Sequence, residues 1–284
     1  MSDTSAPYTC FDVEIADHIA HVQLKRPEKF NSMIREFWNE LPEIINDIND
    51  NAKARVIVIS STGKHFCSGM DLAVFGSNKD EAKTKAEMGR QRHVLRDKVK
   101  VLQDSFSCLD NARMPILVAV QGGCIGGAID MISACDMRYS TKDAFFCIQE
   151  INIGMTADVG TFPRLCHLIP EGWVRELAYT GRRLPAHKAQ EIGLVNETYD
   201  SQEEMLAAVM AIAAEIASKS PLAVAGSKVM INYARDHSIA DGLDYIATWQ
   251  TGMFHSADMM ESFAAKSEKR DGQFEEILPL SKKM

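Results

Sequence analysis

The sequence predicts an α/β fold with a helical C-terminal region, and three observations carry that expectation. The β-branched run "RVIVIS" (55–60) reads as a strand buried on both faces, and the apolar run "ILVAV" (116–120) as another buried strand. Segments with apolar residues at helical spacing lie between the strands. After Asp158 the pattern reads as helical to the end of the chain. Strands alternating with helices, then helices alone, is the order of an α/β core with a helical extension.

The elements follow in order. Residues 10–15 and 18–24 alternate apolar and polar around Asp17, which predicts a hairpin. Pro27 breaks the second strand and opens the loop "RPEKFNS". Residues 33–49 place Ile34, Phe37, Trp38, Leu41, Ile44, Ile45 and Ile48 on one helical face, with a kink expected at Pro42. "STGKHFCSGMDLAVFG" is a Gly- and Ser-rich loop. Residues 79–112 are charged, with Met88, Val94, Leu95, Val101, Leu102, Phe106 and Leu109 at helical spacing, so one long or broken helix is expected. "QGGCIGGAIDMISACD" reads as a glycine-rich turn into a short helix, and "MRYS" and "AFFCI" as two further strands. Later breaks fall at Pro170–Gly172, Gly181, Gly193 and Ser220-Pro221, and residues 202–219 are Ala-rich and strongly helical. No internal repeat appears. The expected division is a core over 1–200 and a C-terminal helical region over 201–284, forming one functional unit.

Composition narrows the function. Hydrophobic residues make up 46% of the 284, enough for a sizeable core. A net charge of −8 disfavours nucleic acid and anionic membrane surfaces as partners. The seven cysteines (Cys10, Cys67, Cys108, Cys124, Cys135, Cys147 and Cys166) are scattered and odd in number, so free thiols in a reducing compartment are expected. No cysteine or histidine cluster has metal-ligand spacing, and no metal is expected. No targeting segment is legible at the N-terminus, and no apolar run is long enough to cross a membrane. The final "LSKKM" departs from a peroxisomal signal at Lys282. A cytoplasmic location is expected if the source is bacterial, and a peroxisome or mitochondrion if it is eukaryotic.

Three places carry chemistry. "CSGMDL" (67–72) and "GGCIGGAID" (122–130) each follow a buried strand. Glycines there let the chain turn sharply and let another group approach the backbone. The N–H groups of Met70 and Gly127 are candidates for an oxyanion hole, two donors aimed at one point. Neither stretch is a dinucleotide fingerprint or a P-loop. The third place is a set of acids. Asp130 lies in the first turn of the apolar helix, Glu150 after "AFFCIQ", and Asp158 is the only ionisable residue of "INIGMTADVGTF". Each has a plain structural reading: Asp130 favoured by the helix dipole, Glu150 a strand end, Asp158 a helix N-cap. Drawn together in a low-dielectric cleft, carboxyls raise one another's pKa and prepare one to accept a proton and another to give one.

"KHFCSGMDL", "AVQGGCIGGAIDMISACDMRYS", "AFFCIQEINIGMTADVGTFPRL", "AYTGRRLPAHKAQEIGLVNE" and "EKRDGQF" together resemble the crotonase (enoyl-CoA hydratase/isomerase) superfamily, over roughly residues 10–275. The resemblance implies a spiral of ββα units whose C-terminal helices build a homotrimer or homohexamer. It implies an acyl-CoA thioester substrate, with CoA as part of that substrate and no separate cofactor. By position, Met70 and Gly127 become the oxyanion donors, and Ser68, Gly69, Met70, Asp71 and Leu72 line the thioester and pantetheine. Asp130, Glu150 and Asp158 resemble the acids of the Δ3,5-Δ2,4-dienoyl-CoA isomerase branch, where hydratases have two glutamates and a glycine. That branch implies Glu150 as base at C2, Asp158 as acid at C6, and Asp130 as a tuning or positioning group. Ala128 departs from the pattern, standing where a third glycine is common. Lys25, Arg26, Lys29 and Lys269 are candidates for the CoA phosphates. The alternatives are an enoyl-CoA hydratase or Δ3,Δ2-isomerase, and a non-catalytic binding protein of the same fold.

Overall fold

Asp17 and His18 both take positive φ, 49° and 65°, and form the two-residue turn of a hairpin. It joins β1 (Phe11–Ala16) to β2 (Ile19–Leu24) in antiparallel register, as the alternation predicted. The computed structural model describes residues 8–71, 73, 74, 87–254 and 257–280. Along them the further strands are β3 (Val56–Ser61), β4 (Ile116–Val120), β5 (Gly123–Ile125), β6 (Met137–Thr141), β7 (Phe145–Cys147), β8 (Leu184–Pro185) and β9 (Glu197–Tyr199). The α-helices are α1 (Arg35–Asp50), α2 (Met88–Asn111), α3 (Gly127–Ser133), α4 (Thr161–Leu168), α5 (Glu171–Thr180), α6 (Ala186–Glu191), α7 (Gln202–Ala217), α8 (Pro221–Tyr233), α9 (Ile239–Met253) and α10 (Ala257–Glu268).

Six strands form one sheet in the order β1-β2-β3-β4-β6-β9, parallel beyond the hairpin. The two β-branched runs lie at its centre, where both faces are covered. Their side chains alternate. Ile57, Ile59, Val118 and Val120 enter the main core, with α1 and α2. Val56, Val58, Leu117 and Ala119 point the other way, onto Met205, Val209, Ala213 and Ala217 of α7. Those four recur every fourth residue, which puts them in one row down the helix. A smaller sheet, β5-β7-β8, stands beside the first and carries the glycine turns.

Pro42 stays inside α1. Proline has no N–H for the carbonyl four residues back, here Trp38. The hydroxyl of Ser105 on α2 lies 3.1 Å from that oxygen and shares its proton with Val101 of its own helix. The lost backbone bond thus becomes a tie between α1 and α2.

Two expectations are corrected. The region after Asp158 is not wholly helical: β8 and β9 interrupt it, and the backbone from 271 to 280 has no helix. Each of those strands is three residues or fewer and is held by strands distant in sequence, which local pattern does not record. Of residues 79–112, the helix spans 88–111 and residues 79–86 lie outside the described set. Only its C-terminal half packs inward. Phe106 and Leu109 are fully buried, whereas Met88, Val94, Leu95 and Val101 are exposed.

The C-terminal helices are fastened by one buried cation. Lys228 of α8 is 6% exposed, and its Nζ donates to Leu109 O (3.0 Å), Met114 O (3.1 Å) and Asp136 Oδ2 (2.8 Å). Lys228→Met would take the donor from two carbonyls and the cation from a largely buried carboxylate, which would keep the Ile116 N–H at 2.7 Å. The expected cost is about 3–5 kcal/mol, read as a lower midpoint in chemical denaturation, and an unchanged midpoint would remove Lys228 as an anchor.

Candidate active site

The loop after β3 is held from two sides. Cys67 N–H donates to Gly123 O (3.2 Å) and Cys67 O accepts from Ile125 N–H (3.1 Å), which brackets the residue onto β5. Three residues on, Met33 N–H donates to Gly69 O (2.8 Å) and Asp71 N–H to Met33 O (3.0 Å). Met70 lies between those two bonds, so its own N–H points away from Met33. Gly69 makes the turn at φ +82°, and a Cβ there would stand 2.6 Å from Ile125 O and 3.4 Å from Gly127 N. This close approach brings the Met70 peptide beside Gly127, the first residue of α3. Neither N–H is taken by an acceptor among the described residues. The other end of α3 is closed: the guanidinium of buried Arg138 donates to the carbonyls of Ile132 and Cys135.

Asp130 sits one turn into α3, fully buried. Its Oδ1 accepts the backbone N–H of Thr161 at 2.6 Å, and its Oδ2 is buried with no hydrogen-bond partner. Burial pushes its pKa up to about 7. Thr161 opposes the rise, and the charges of Glu150 and Asp158 add to it.

Glu150 does not end the strand, which stops at Cys147; it opens a 3-10 turn, Glu150–Ile153. A Cβ on Gly126 would lie 3.3 Å from Glu150 Oε1, so this carboxyl rests against the residue before Gly127. Its Oε2 is buried without a partner. Burial raises its pKa and the charge of Asp158 raises it further, against opposition from nearby backbone amides.

Asp158 stands in the connection to α4 and is exposed as a residue, yet partial burial of its carboxyl raises its pKa too. It does not cap the helix. The N-cap is Gly160, with φ 137°, and the Thr161 amide is served by Asp130 instead. The three acids therefore share one electrostatic neighbourhood, with Asp130 and Glu150 on the side of Gly126 and Gly127.

A groove of about 480 Å³ opens alongside, lined by Ser68 and Ile125, by Phe30, His65 and Phe145, and by the charged Lys64, Asp143 and Arg183. The Arg183 guanidinium lies 4.2 Å over the Phe145 ring. His65 Nδ1 accepts the Gly123 N–H at 2.9 Å, which leaves the ring proton on Nε2. Burial lowers the His65 pKa, with Lys64 and Arg183 assisting, so the imidazole is neutral near pH 7.

The remaining sequence candidates divide. Ser68 lines the groove. Asp71 shapes the loop: its carboxylate accepts from Ala73 N–H and the Ser32 hydroxyl, which with Arg26 and Lys29 hold it below the usual carboxylate range. Leu72 lies outside the described residues. Lys25 is paired with Asp12 at 2.8 Å, and Arg26 donates to Ser32 O at 2.8 Å, so both brace the first loop. Lys29 is exposed. Lys269 is not on the C-terminal helix: α10 ends at Glu268, and Lys269 turns the chain away with φ 56°. Sequence reasoning missed Thr161, and it missed Lys64, His65 and Arg183. The run "GRRLP" contained Arg183, but only the fold brings it to Phe145.

A family model described as enoyl-CoA hydratase/isomerase matches residues 14–277. The chain is 43% identical over 255 residues to the mitochondrial Delta(3,5)-Delta(2,4)-dienoyl-CoA isomerase of Mus musculus, covering 89% of this chain and 78% of that protein. It is 37% identical over 259 residues to the peroxisomal Delta(3,5)-Delta(2,4)-dienoyl-CoA isomerase of Arabidopsis thaliana, covering 91% and 93%. Among solved structures, an enoyl-CoA hydratase from Bacillus anthracis superposes with a TM-score of 0.82 at 28% identity, over 94% of this chain and 99% of that one.

The raised pKa of Asp130 has a measurable consequence. A carboxyl at about 7 in the folded chain, against 3.8 as its ordinary value, binds its proton more tightly when folded. Its ionisation opposes folding, so this contribution to stability falls as pH rises from about 4 to about 7 and stays lost above. Asp130→Asn keeps an oxygen for Thr161 and removes the charge. It is expected to melt several degrees above wild type near pH 8, with the gap closing toward pH 4. Equal gaps at both pH values would exclude Asp130 as the source.

Proposed function

This chain belongs to the enoyl-CoA hydratase/isomerase family, and on that premise we propose that it converts 3,5-dienoyl-CoA thioesters to 2,4-dienoyl-CoA thioesters. The observation that carries the reading is a third acid, Asp158, electrostatically coupled to Glu150 and released from helix capping by Asp130. The dienoyl-CoA isomerases that align with the chain support it.

In this reaction the thioester oxygen accepts from the N–H groups of Met70 and Gly127. Two fixed donors stabilise the negative charge that develops when C2 loses a proton. Glu150, ionised, takes that proton. The electron pair spreads through C3 to C6, Asp158 delivers a proton to C6, and the double bonds come to rest at C2 and C4. No atoms are gained or lost. The cycle leaves Glu150 protonated and Asp158 ionised; the starting state returns when Glu150 gives up its proton and exposed Asp158 takes one from solvent. Raised pKa values suit both acids, because a group that titrates nearer the working pH gives and takes protons readily. The groove beside Ser68 offers the CoA nucleotide two cations, Lys64 and Arg183, against one acid, Asp143, with the rings of Phe30 and Phe145 in the same lining. The step belongs to the breakdown of unsaturated acyl chains.

We also infer a homo-oligomer, a trimer or hexamer. Ile231, Ile239, Leu243, Met260 and Phe263 of α8–α10 are each more than half exposed, an unusual concentration of large apolar side chains for a solvent face. Light scattering is expected to return three or six chains; a monomer at micromolar concentration would overturn this.

The isomerase reading is tested by mixing the protein with a 3,5-dienoyl-CoA and following the ultraviolet band of the 2,4-dienoyl thioester. Asp158→Asn is expected to lower that rate by roughly 10²–10⁴-fold while CoA-thioester affinity changes little. An unaffected rate sinks the role of Asp158. Rapid loss of the crotonyl-CoA absorbance, with no diene conversion, would move the protein to the hydratases.

A further inference from the structure

Asp158 lies in a connection, outside any helix or strand, so something else must hold its carboxyl at a fixed height. Three contacts hold the loop. Asp130 takes the Thr161 amide. Gln103 of α2 donates from Nε2 to the backbone oxygen of Asp158 at 2.7 Å. Arg164 lies over Gly160, where a Cβ would collide with its guanidinium. Arg164 is itself held by α2: Nε donates to Asp110 Oδ2 at 2.7 Å, and Nη2 to Ser107 Oγ at 3.2 Å. Asp110 is braced in turn, with Arg235 on Oδ1 at 2.9 Å and Asn232 Nδ2 on its backbone oxygen at 3.0 Å.

Gln103, Ser107 and Asp110 are spaced i, i+4, i+7, so they form one stripe along α2. That stripe holds the acid loop twice, directly at residue 158 and through Arg164 at residue 160. We propose that Gln103 and Arg164 are positioning residues for Asp158, setting where its carboxyl meets the far end of the diene. The proposal rests on the isomerase reading. Glu150 is fixed separately, against Gly126. Loss of the α2 clamp should therefore damage proton delivery at C6 and spare proton removal at C2.

That division can be measured in one reaction. With 3,5-dienoyl-CoA in D₂O, deuterium entering C2 of recovered substrate reports removal and return of the C2 proton. Appearance of the 2,4-diene reports completion at C6. Gln103→Ala is expected to slow diene formation by roughly 10- to 100-fold, the scale of a misplacement near 1 Å, with KM nearly unchanged. The ratio of C2 exchange to isomerisation should rise at least about tenfold. Gln103→Glu keeps the length, loses the donor and is expected to show the same rise. A ratio equal to wild type in both variants, whether or not the rates fall, overturns the proposal and leaves the function standing. A wild-type protein that exchanges C2 but forms no 2,4-diene overturns both.

Discussion

One hydrogen bond sets where the acids stand: Thr161 N–H to Asp130 Oδ1, at 2.6 Å. The first amides of a helix have no carbonyl within the helix to accept them. The usual remedy is a side chain just before the helix, and Asp158 is close enough in sequence to serve. In this fold the acceptor comes from α3, a separate helix whose first residue is Gly127. The bond thus joins the helix bearing one candidate oxyanion donor to the loop bearing the outermost acid. It also leaves Asp158 off the Thr161 amide, and burial raises the Asp158 pKa against the lowering effect of its own backbone amide.

The same bond makes Asp130 a poor choice for the proton carrier. Asp130 is fully buried, one of its oxygens is already occupied, and solvent does not reach it to reset its charge. Its effect is electrostatic. When neutral, it adds nothing to the repulsion between Glu150 and Asp158; when ionised, it makes a second negative charge near either of them harder to hold. With its pKa about 7, Asp130 sits between those two conditions. The glycines serve the other half of the site. At Gly69 the positive φ and the nearness of Ile125 O both exclude a side chain, because the two peptides must come together.

Much of this was legible in the sequence, for a local reason. The hairpin, the two buried strands and the amphipathic α1 each write their period into consecutive residues, and both glycine turns announce themselves by composition. What was not legible depends on distant pairs. β8 and β9 exist only through β7 and β6. Asp158 reads as an N-cap until Asp130, 28 positions earlier in the chain, is seen on the Thr161 amide. Lys25 and Arg26 read as free cations in the sequence, and only the fold brings Asp12 and the Ser32 carbonyl to them. The apolar period of α2 runs its full length, but the core ends near Ser105, so Met88, Val94, Leu95 and Val101 continue a pattern that is exposed among the described residues.

The order of proton transfer in the proposed reaction follows from which acid lies beside the amides. C2 is bonded to the thioester carbonyl carbon, so the base that serves it must stand near the groups that bind the carbonyl oxygen. Glu150 Oε1 rests against Gly126, the residue before Gly127, and its partnerless Oε2 is buried. Asp158 is held at a different place, by α2 and at the start of α4, and is the more open to solvent. A proton taken by Glu150 would leave the dienolate charge spread toward C6, and only an acid displaced along the chain can meet it there. Exchanging the two roles would ask an exposed carboxyl, fixed from outside, to reach the carbon next to the oxyanion donors, while the enclosed carboxyl reached away from them. The geometry of the two supports favours Glu150 at C2 and Asp158 at C6.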